Sequence, residues 1–137
     1  MDSIDPGRRS RNMAAIRSKN TKPEMIVRSL VHRLGFRYRL HRKDLPGKPD
    51  LVFGPRRKVI FVHGCFWHLH PDPACKDARV PQSRREYWLP KLTRNTERDR
   101  QHNQQLEAMG WLVLIIWECE CRRPDELKAK LRAFLSL

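Results

Sequence analysis

Two short apolar segments in the first half of the chain constrain its fold more than any other feature. Residues 51–53 and 58–62 are rich in β-branched and aromatic side chains, and the four residues between them, Gly-Pro-Arg-Arg, are frequent in turns. The pattern predicts an antiparallel hairpin. Centring its turn places Asp50 opposite Phe61, so that Asp50 and Val62 lie together at the open end of the hairpin.

Hydrophobic periodicity and Pro and Gly signals predict the elements around this hairpin: helices over 23–35, over 91–109 and from residue 124 onward, and strands over 36–40 and 111–117. Because every residue of 111–117 is apolar, that strand is expected to be buried on both faces. The order of helix, three strands, helix, strand and helix predicts one α/β domain with a mixed sheet, residues 21–137, after a basic arm, residues 1–20.

The charge balance points to a polyanionic partner. The chain of 137 residues carries 29 Lys and Arg against 15 Asp and Glu, a formal net charge of +14. Nucleic acid is the most common partner of such a chain, although charge alone does not choose DNA over RNA, and solubility or an anionic membrane surface are alternatives. The longest apolar run is far shorter than the ~20 residues of a membrane span, and the arginine-rich N-terminus lacks the apolar region of a signal peptide. We therefore expect a cytoplasmic protein, associated with the nucleoid, without a membrane partner.

Asp50 is the first candidate for metal chemistry. The hairpin brings its carboxylate beside a backbone carbonyl of the Val62-His63 segment and beside the His63 imidazole. Oxygen ligands of this kind suit Mg²⁺. The alternative is that Asp50 merely begins a strand after Pro49.

Asp99 is a second candidate, because it recurs with Leu92 and Leu106 at seven-residue intervals on the long helix. That stripe is expected to face the sheet, where an unpaired carboxylate is costly. Asp99 should therefore have a partner such as a histidine, an arginine or a metal-bound water. A structural salt bridge is the alternative.

Cysteine and histidine spacing predicts a structural zinc site at Cys65, His70, Cys75 and Cys119. Disulfides are disfavoured in the expected compartment, and a fourth protein ligand leaves no open position for catalysis. Cys121 competes with Cys119, which is preferred because it directly ends a strand. Buried free thiols are the alternative.

Large aromatic residues accompany these groups: Phe66, Trp67 and Trp88. Aromatic side chains near a basic surface can enter a base stack, at lowest cost beside a mismatch, or they can pack over the core. The remaining histidines, His32, His41 and His102, are expected on the surface or on a helix face.

Four motifs give the chain its resemblance to a known family: PGKPD at 46–50, VIFVHGCFWH at 59–68, ERDR at 97–100 and WEC at 117–119. Over residues 8–122 the sequence resembles the very short patch repair (Vsr) endonucleases. The resemblance implies a restriction-endonuclease-like fold of the PD-(D/E)xK type. It also implies a monomer that nicks one DNA strand 5′ to the thymine of a T·G mismatch left by deamination of 5-methylcytosine. The gap of four residues between His70 and Cys75 is longer than expected for the family.

The resemblance also implies residue roles. Asp50 and the Val62 carbonyl match the Mg²⁺ ligands, and His63, His68, Asp99 and Glu24 match residues around the metal and the scissile phosphate. In this interpretation Asp99 orients His68 to activate water, and His63 holds a metal-bound water. Three aromatic residues match those that enter the duplex beside the mismatch, and two residues fall in an arm that contacts the minor groove. These expected DNA contacts are Phe66, Trp67 and Trp88, and Met13 and Ile16. Two alternatives remain, a zinc-stabilised nucleic-acid-binding module without catalysis and a restriction-type enzyme that cuts both strands of matched DNA.

Overall fold

A computed structural model describes residues 20–137, so the candidate DNA contacts Met13 and Ile16 lie outside the described residues. The elements follow the predicted order: α1 (Lys22–Arg33), β1 (Arg39–Leu40), β2 (Leu51–Phe53), β3 (Lys58–His63), α2 (Arg85–Ala108), β4 (Leu112–Trp117) and α3 (Pro124–Leu135). Among residues 20–137, none of the helices combines the length and the hydropathy that a bilayer crossing needs.

The four strands form one mixed sheet in the order β1-β2-β3-β4. β2 is antiparallel both to β1 and to β3, and Leu51 pairs with Ile60, so the predicted hairpin and its register are confirmed. β4 runs parallel to β3, with His63 opposite Trp117. A parallel pair needs a long crossover, which α2 provides. The carboxyl ends of β3 and β4 therefore lie at the same edge of the sheet.

Alternating side chains of β3 divide the core between the two faces of the sheet. Ile60 belongs to the cluster that α1 and α3 cover, with Val31 and Leu131 fully buried. Val59 and Phe61 belong to the opposite cluster, which includes Leu106 of α2. β3 is thus the central strand, and its end is fixed by packing on both faces.

Two predicted strands differ from the structure. β4 was expected to be buried on both faces, which is wrong: Leu112 is 52% exposed, and Ile116 is its one fully buried residue. β4 is last in the strand order, so the helices that cover β3 cover it only in part. The strand expected over 36–40 is limited to Arg39–Leu40.

The long helix begins at Arg85 rather than at residue 91, with Pro90 inside its N-terminal part. A proline inside a helix removes one backbone hydrogen bond, so the extra turns need support from another contact. The ring of Trp88 packs against Phe66 and Trp67, with centroids 5.3 and 5.8 Å away, and this tertiary contact supports the extra turns.

Candidate active site and metal centre

A cavity of about 720 Å³ opens where the hairpin end, the first turn of α1 and the middle of α2 meet. The side chains that line it include six candidate groups for chemistry from five different segments of the chain: Glu24, His41, Asp50, His63, His68 and Asp99. His102 and Glu118 line it as well. Five of the six were predicted as site residues or metal ligands, and the structure brings them together. His41 was expected on the surface or on a helix face.

Asp50 lies as the hairpin register predicts, because its Oδ2 accepts the N–H of Val62 at 2.7 Å. Burial raises the pKa of Asp50 to about 7, the Val62 N–H opposes that rise, and the neighbouring Glu24 carboxylate adds to it. Two carboxylates this close repel each other when both are ionised. The donor set therefore fits a hard divalent cation, which would favour the charged form of both.

Glu24 is 2% exposed and is held on several sides. One oxygen, Oε1, accepts the N–H of Asn20 at 3.1 Å, and the other, Oε2, contacts His41 Nε2 at 2.8 Å and Arg28 Nη1 at 3.5 Å. Thr21 caps α1 by accepting the Glu24 N–H, which aims this first-turn side chain into the cavity. The position of the Glu24 side chain is thus fixed by the capped N-terminus of α1.

His41 is a site residue that sequence reasoning missed. It follows β1 directly, donates its N–H to the carbonyl of Asp50 at 3.2 Å, and its side chain is 17% exposed. The expectation of a surface or helix-face histidine is therefore wrong. The available signal was strand pairing: β1 runs antiparallel to β2, so the residue after Leu40 must lie next to the residue before Leu51.

His68 and Asp99 form a direct pair, with Nδ1 and Oδ2 2.5 Å apart. The predicted stripe on α2 is confirmed, because Leu92 and Leu106 are fully buried on either side of Asp99 along the helix. The Asp99 carboxylate accepts the hydrogen bond from His68 Nδ1, so Nε2 is the ring nitrogen of His68 that can accept or donate a proton in the cavity.

His63 is 5% exposed and stacks on His68, with ring centroids 3.8 Å apart and planes at 6°. Burial lowers the pKa of His63 to about 3, and His68 beside it contributes, so its ring is neutral. Among residues 20–137, its Nδ1 is the one buried side-chain polar atom without a hydrogen-bond partner. An imidazole nitrogen binds a metal ion that lies in the plane of its ring. The planes of these two rings are parallel and separated, so one cation cannot lie in both, and the two imidazoles cannot share it in normal geometry.

The cysteine–histidine cluster (Cys65, His70, Cys75 and Cys119) lies on the far side of the same loop, with its four ligand atoms within 4.8 Å of one another. His70 Nδ1 is 3.6 Å from Cys65 Sγ and 3.5 Å from Cys119 Sγ. A tetrahedral zinc ion with normal Zn–S and Zn–N bonds separates such atoms by ~3.6 Å. The four residues therefore fit zinc, and the longer gap before Cys75 does not keep it out of the cluster.

Cys121 lies outside this cluster and donates its thiol to the carbonyl of Pro23 at 3.7 Å. All four cysteines are free thiols. Burial raises the pKa of Cys65 and Cys119, which is unfavourable for thiolates unless a metal ion compensates.

One turn of chain holds both groups of residues. His68 donates its N–H to the carbonyl of Gly64 at 3.1 Å, and His70 donates to the carbonyl of Cys65 at 2.9 Å. The N–H of Cys65 is in turn donated to Glu118 Oε1 at 2.9 Å. Residues 63–70 therefore present His63 and His68 to the cavity while presenting Cys65 and His70 to the cluster.

The aromatic cluster (Phe66, Trp67 and Trp88) forms a triangle of edge-on contacts, with centroids 5.2–5.8 Å apart. Trp67 is 7% exposed, and its carbonyl accepts from Asn95 Nδ2 at 3.1 Å. Phe66 and Trp88 are half-buried beside it. Phe66 and Trp88 are thus the more accessible members for a DNA contact, while Trp67 also packs inside the protein.

The fold is similar to that of a catalytic domain of known structure. The structure superposes on the catalytic domain of the homing endonuclease I-Bth0305I with a TM-score of 0.59, covering 84% of this chain and 94% of that chain at 19% sequence identity. At that identity the likeness establishes the fold alone. The described part of the chain is thus an α/β protein with the fold of that catalytic domain, and it gathers carboxylates and imidazoles at one edge of its mixed sheet.

Sequence similarity then identifies the family. The model of the family described as "DNA mismatch endonuclease Vsr" matches residues 1–74. The type II nicking enzyme V.XorIIP of Xanthomonas oryzae pv. oryzae is 51% identical over 134 residues, 98% of this chain and 96% of that protein. The DNA mismatch endonuclease Vsr of Escherichia coli is 44% identical over 126 residues, 92% of this chain and 79% of that protein. The chain belongs to the Vsr family.

Proposed function

We propose that this protein is a Vsr-type endonuclease that nicks one strand of duplex DNA 5′ to the thymine of a T·G mismatch, the product of 5-methylcytosine deamination. Nicking at this position would initiate very short patch repair. The observation that carries the proposal is the cavity in which Asp50, the end of β3 and the His68–Asp99 pair converge. We take residues 21–137 as a single restriction-endonuclease-like domain that acts as a monomer, because one copy holds every proposed catalytic group.

Asp50 and the carbonyl of Val62 would hold Mg²⁺ in this cavity, beside Glu24. When bound, the cation would supply positive charge to the scissile phosphate and its developing oxyanions. The cysteine–histidine cluster would hold zinc in a purely structural role, because four protein ligands close its coordination shell.

Water activation is assigned to His68. Asp99 accepts the Nδ1 proton, so the neutral ring keeps its lone pair on Nε2. Nε2 can then accept the proton of the attacking water, while Asp99 stabilises the imidazolium that forms. His63, whose ring burial keeps neutral, stacks on the ring of His68 and would hold a water of the proposed cation.

DNA binding would combine charge with a wedge. Arg94 and Arg98 are exposed on α2, and Arg98 lines the cavity, so this face can position phosphates without reading sequence. Phe66 and Trp88 would enter the duplex beside the mismatch, where opening the stack costs least. The minor-groove contacts of Met13 and Ile16 remain predictions.

Incubating the purified protein with Mg²⁺ and two duplexes, one with a single T·G mismatch and one fully matched, tests this function. A single nick 5′ to the mismatched thymine is the expected product. Binding without any cut would instead establish a nucleic-acid-binding module. A double-strand break in the matched duplex would establish a restriction-type enzyme.

Asp99→Asn is expected to lower the nicking rate about 10²-fold, because an amide can fix the wrong tautomer of His68. His68→Ala should lower the rate at least as much. The double variant should be no slower than His68→Ala alone, because both changes remove one function. Single-turnover rates on the T·G duplex measure this coupling, and fully additive losses would show that the two residues act separately.

Phe66→Ala is expected to reduce the preference for T·G over matched duplex about tenfold, the lower end of what base–aromatic stacking contributes. Competition binding with the two duplexes measures the preference. Leu112→Ala is the control, because Leu112 is 52% exposed and lies at the start of β4, opposite Lys58 and away from the end of the sheet that carries His63. Equal losses on both duplexes would assign Phe66 to packing alone.

A further inference from the structure

The backbone conformation and the side-chain direction of His41 are unusual for a surface histidine. Its backbone has a φ of 49°, in the left-handed region that a side chain rarely adopts. In this conformation its N–H reaches the Asp50 carbonyl at 3.2 Å while its ring enters the cavity. Both the backbone and the side chain of His41 are thus committed to the Asp50 neighbourhood.

The side-chain atoms of Glu24, His41 and Asp50 that can bind a metal all lie within 4.8 Å of one another. His41 Nε2 and Glu24 Oε2 are 2.8 Å apart. Two ligand atoms at right angles around a small divalent cation are ~3.0 Å apart. These two atoms need to separate by only about 0.2 Å to become neighbouring ligands.

We propose that His41 is a nitrogen ligand of the cation pocket (Glu24, His41, Asp50 and the Val62 carbonyl). This inference rests on the proposed function, which places a cation at Asp50, and it goes further by specifying the class of cation. On binding, the proton that Nε2 shares with Glu24 leaves Nε2, and the ring takes up a proton from solvent on Nδ1. The ring therefore stays a neutral imidazole, and the lone pair freed on Nε2 binds the metal. His63 and His68 cannot take this role together, because their stacked rings cannot share a cation.

An imidazole changes which ion the pocket prefers. Mg²⁺ binds almost entirely through oxygen, whereas first-row transition metals accept imidazole nitrogen well. Two carboxylates, a carbonyl and an imidazole therefore make a pocket that holds Mn²⁺ more tightly than Mg²⁺. Without the imidazole, the remaining oxygen ligands would distinguish the two ions less.

The test measures Mn²⁺ binding to the zinc-loaded protein in the absence of DNA, with electron paramagnetic resonance as the readout. Electron spin echo modulation from a directly bound imidazole ¹⁴N is expected in the unmodified protein. His41→Gln should abolish that modulation and weaken Mn²⁺ binding at least about tenfold. Mg²⁺ binding, measured by competition with Mn²⁺, should change far less.

Glutamine separates the hydrogen bond that His41 makes to Glu24 from its proposed role as a metal ligand. The amide of glutamine can still donate a hydrogen bond to Glu24, but it is a poor metal ligand. His32→Gln is the matched control, since His32 is exposed on α1. His41→Asn, which tolerates the left-handed backbone, provides a second variant, and thermal unfolding reports whether each variant is folded. Both His41 variants should lose the ¹⁴N modulation and the same share of the Mn²⁺ affinity.

The outcomes distinguish this inference from the proposed function. Mn²⁺ bound without imidazole modulation, or modulation that survives in His41→Gln, would overturn the role of His41 and leave the cation pocket standing. If the unmodified protein binds neither Mn²⁺ nor Mg²⁺, the pocket itself is wrong, and the inference fails with the proposed function.

Discussion

Asp50→Asn is expected to lower the nicking rate by about 10³-fold or more while leaving affinity for the T·G duplex nearly unchanged. The amide oxygen can still accept the Val62 N–H, so the end of the hairpin keeps its geometry. What is lost is the charge that would hold the cation. The single change leaves the strongly basic DNA-binding surface intact, so binding and catalysis should separate.

Stability gives this variant an independent readout. The pKa of Asp50 is raised from 3.8 to about 7, so between these pH values the folded protein holds a proton that the unfolded chain releases. Stability is therefore lost as the pH rises through that window. Asparagine removes this penalty, and Asp50→Asn should unfold at a higher temperature than the unmodified protein at pH 8 without added divalent cation.

The control for Asp50→Asn is Asp44→Asn in the same loop. Asp44 is exposed and pairs with Arg42 at 2.6 Å. Its replacement removes the same charge outside the cavity and should leave nicking unchanged. Undiminished nicking by Asp50→Asn would remove the proposed cation site.

Cys119→Ser is expected to lose the zinc ion and to destabilise the fold by several kcal/mol, because a structural zinc contributes its binding energy to folding. The loss should appear as an absence of zinc by elemental analysis and as a large fall in the thermal unfolding temperature. Cys65→Ser and Cys75→Ser should behave in the same way, since their Sγ atoms belong to the same cluster.

The chain provides a matched control for Cys119 two residues away. Cys121 Sγ donates to the Pro23 carbonyl and does not belong to the cluster, so Cys121→Ser should retain one zinc per chain and near-normal stability. Serine can replace that hydrogen bond. One zinc per chain in Cys119→Ser, with loss in Cys121→Ser, would reverse the choice between the two cysteines.

The part of the site that could be predicted depends on regular geometry. Strand periodicity placed Asp50 beside Val62, and helical periodicity placed Asp99 on the buried stripe of α2. The partner of Asp99 was predicted only as one of several types, and the structure identifies it as His68. Such contacts follow from repeating backbone geometry, which a sequence displays directly.

The parts that could not be predicted depend on tertiary contacts. His41 sits in a left-handed conformation after a strand of two residues, and so short a strand has no periodicity to detect. The early start of α2 depends on Trp88 packing against a loop distant in sequence. The partial exposure of β4 depends on its place at the end of the strand order, which hydrophobicity alone does not reveal.

The turn formed by residues 63–70 also limits where the chain can tolerate an insertion or a deletion. Its side chains alternate between two sites, and two backbone hydrogen bonds fix their spacing. Inserting or deleting one codon there would rotate His68 and His70 away from both sites at once. Residues 71–74 are exposed and follow the turn, so a change of length there would leave the spacing of His68 and His70 intact.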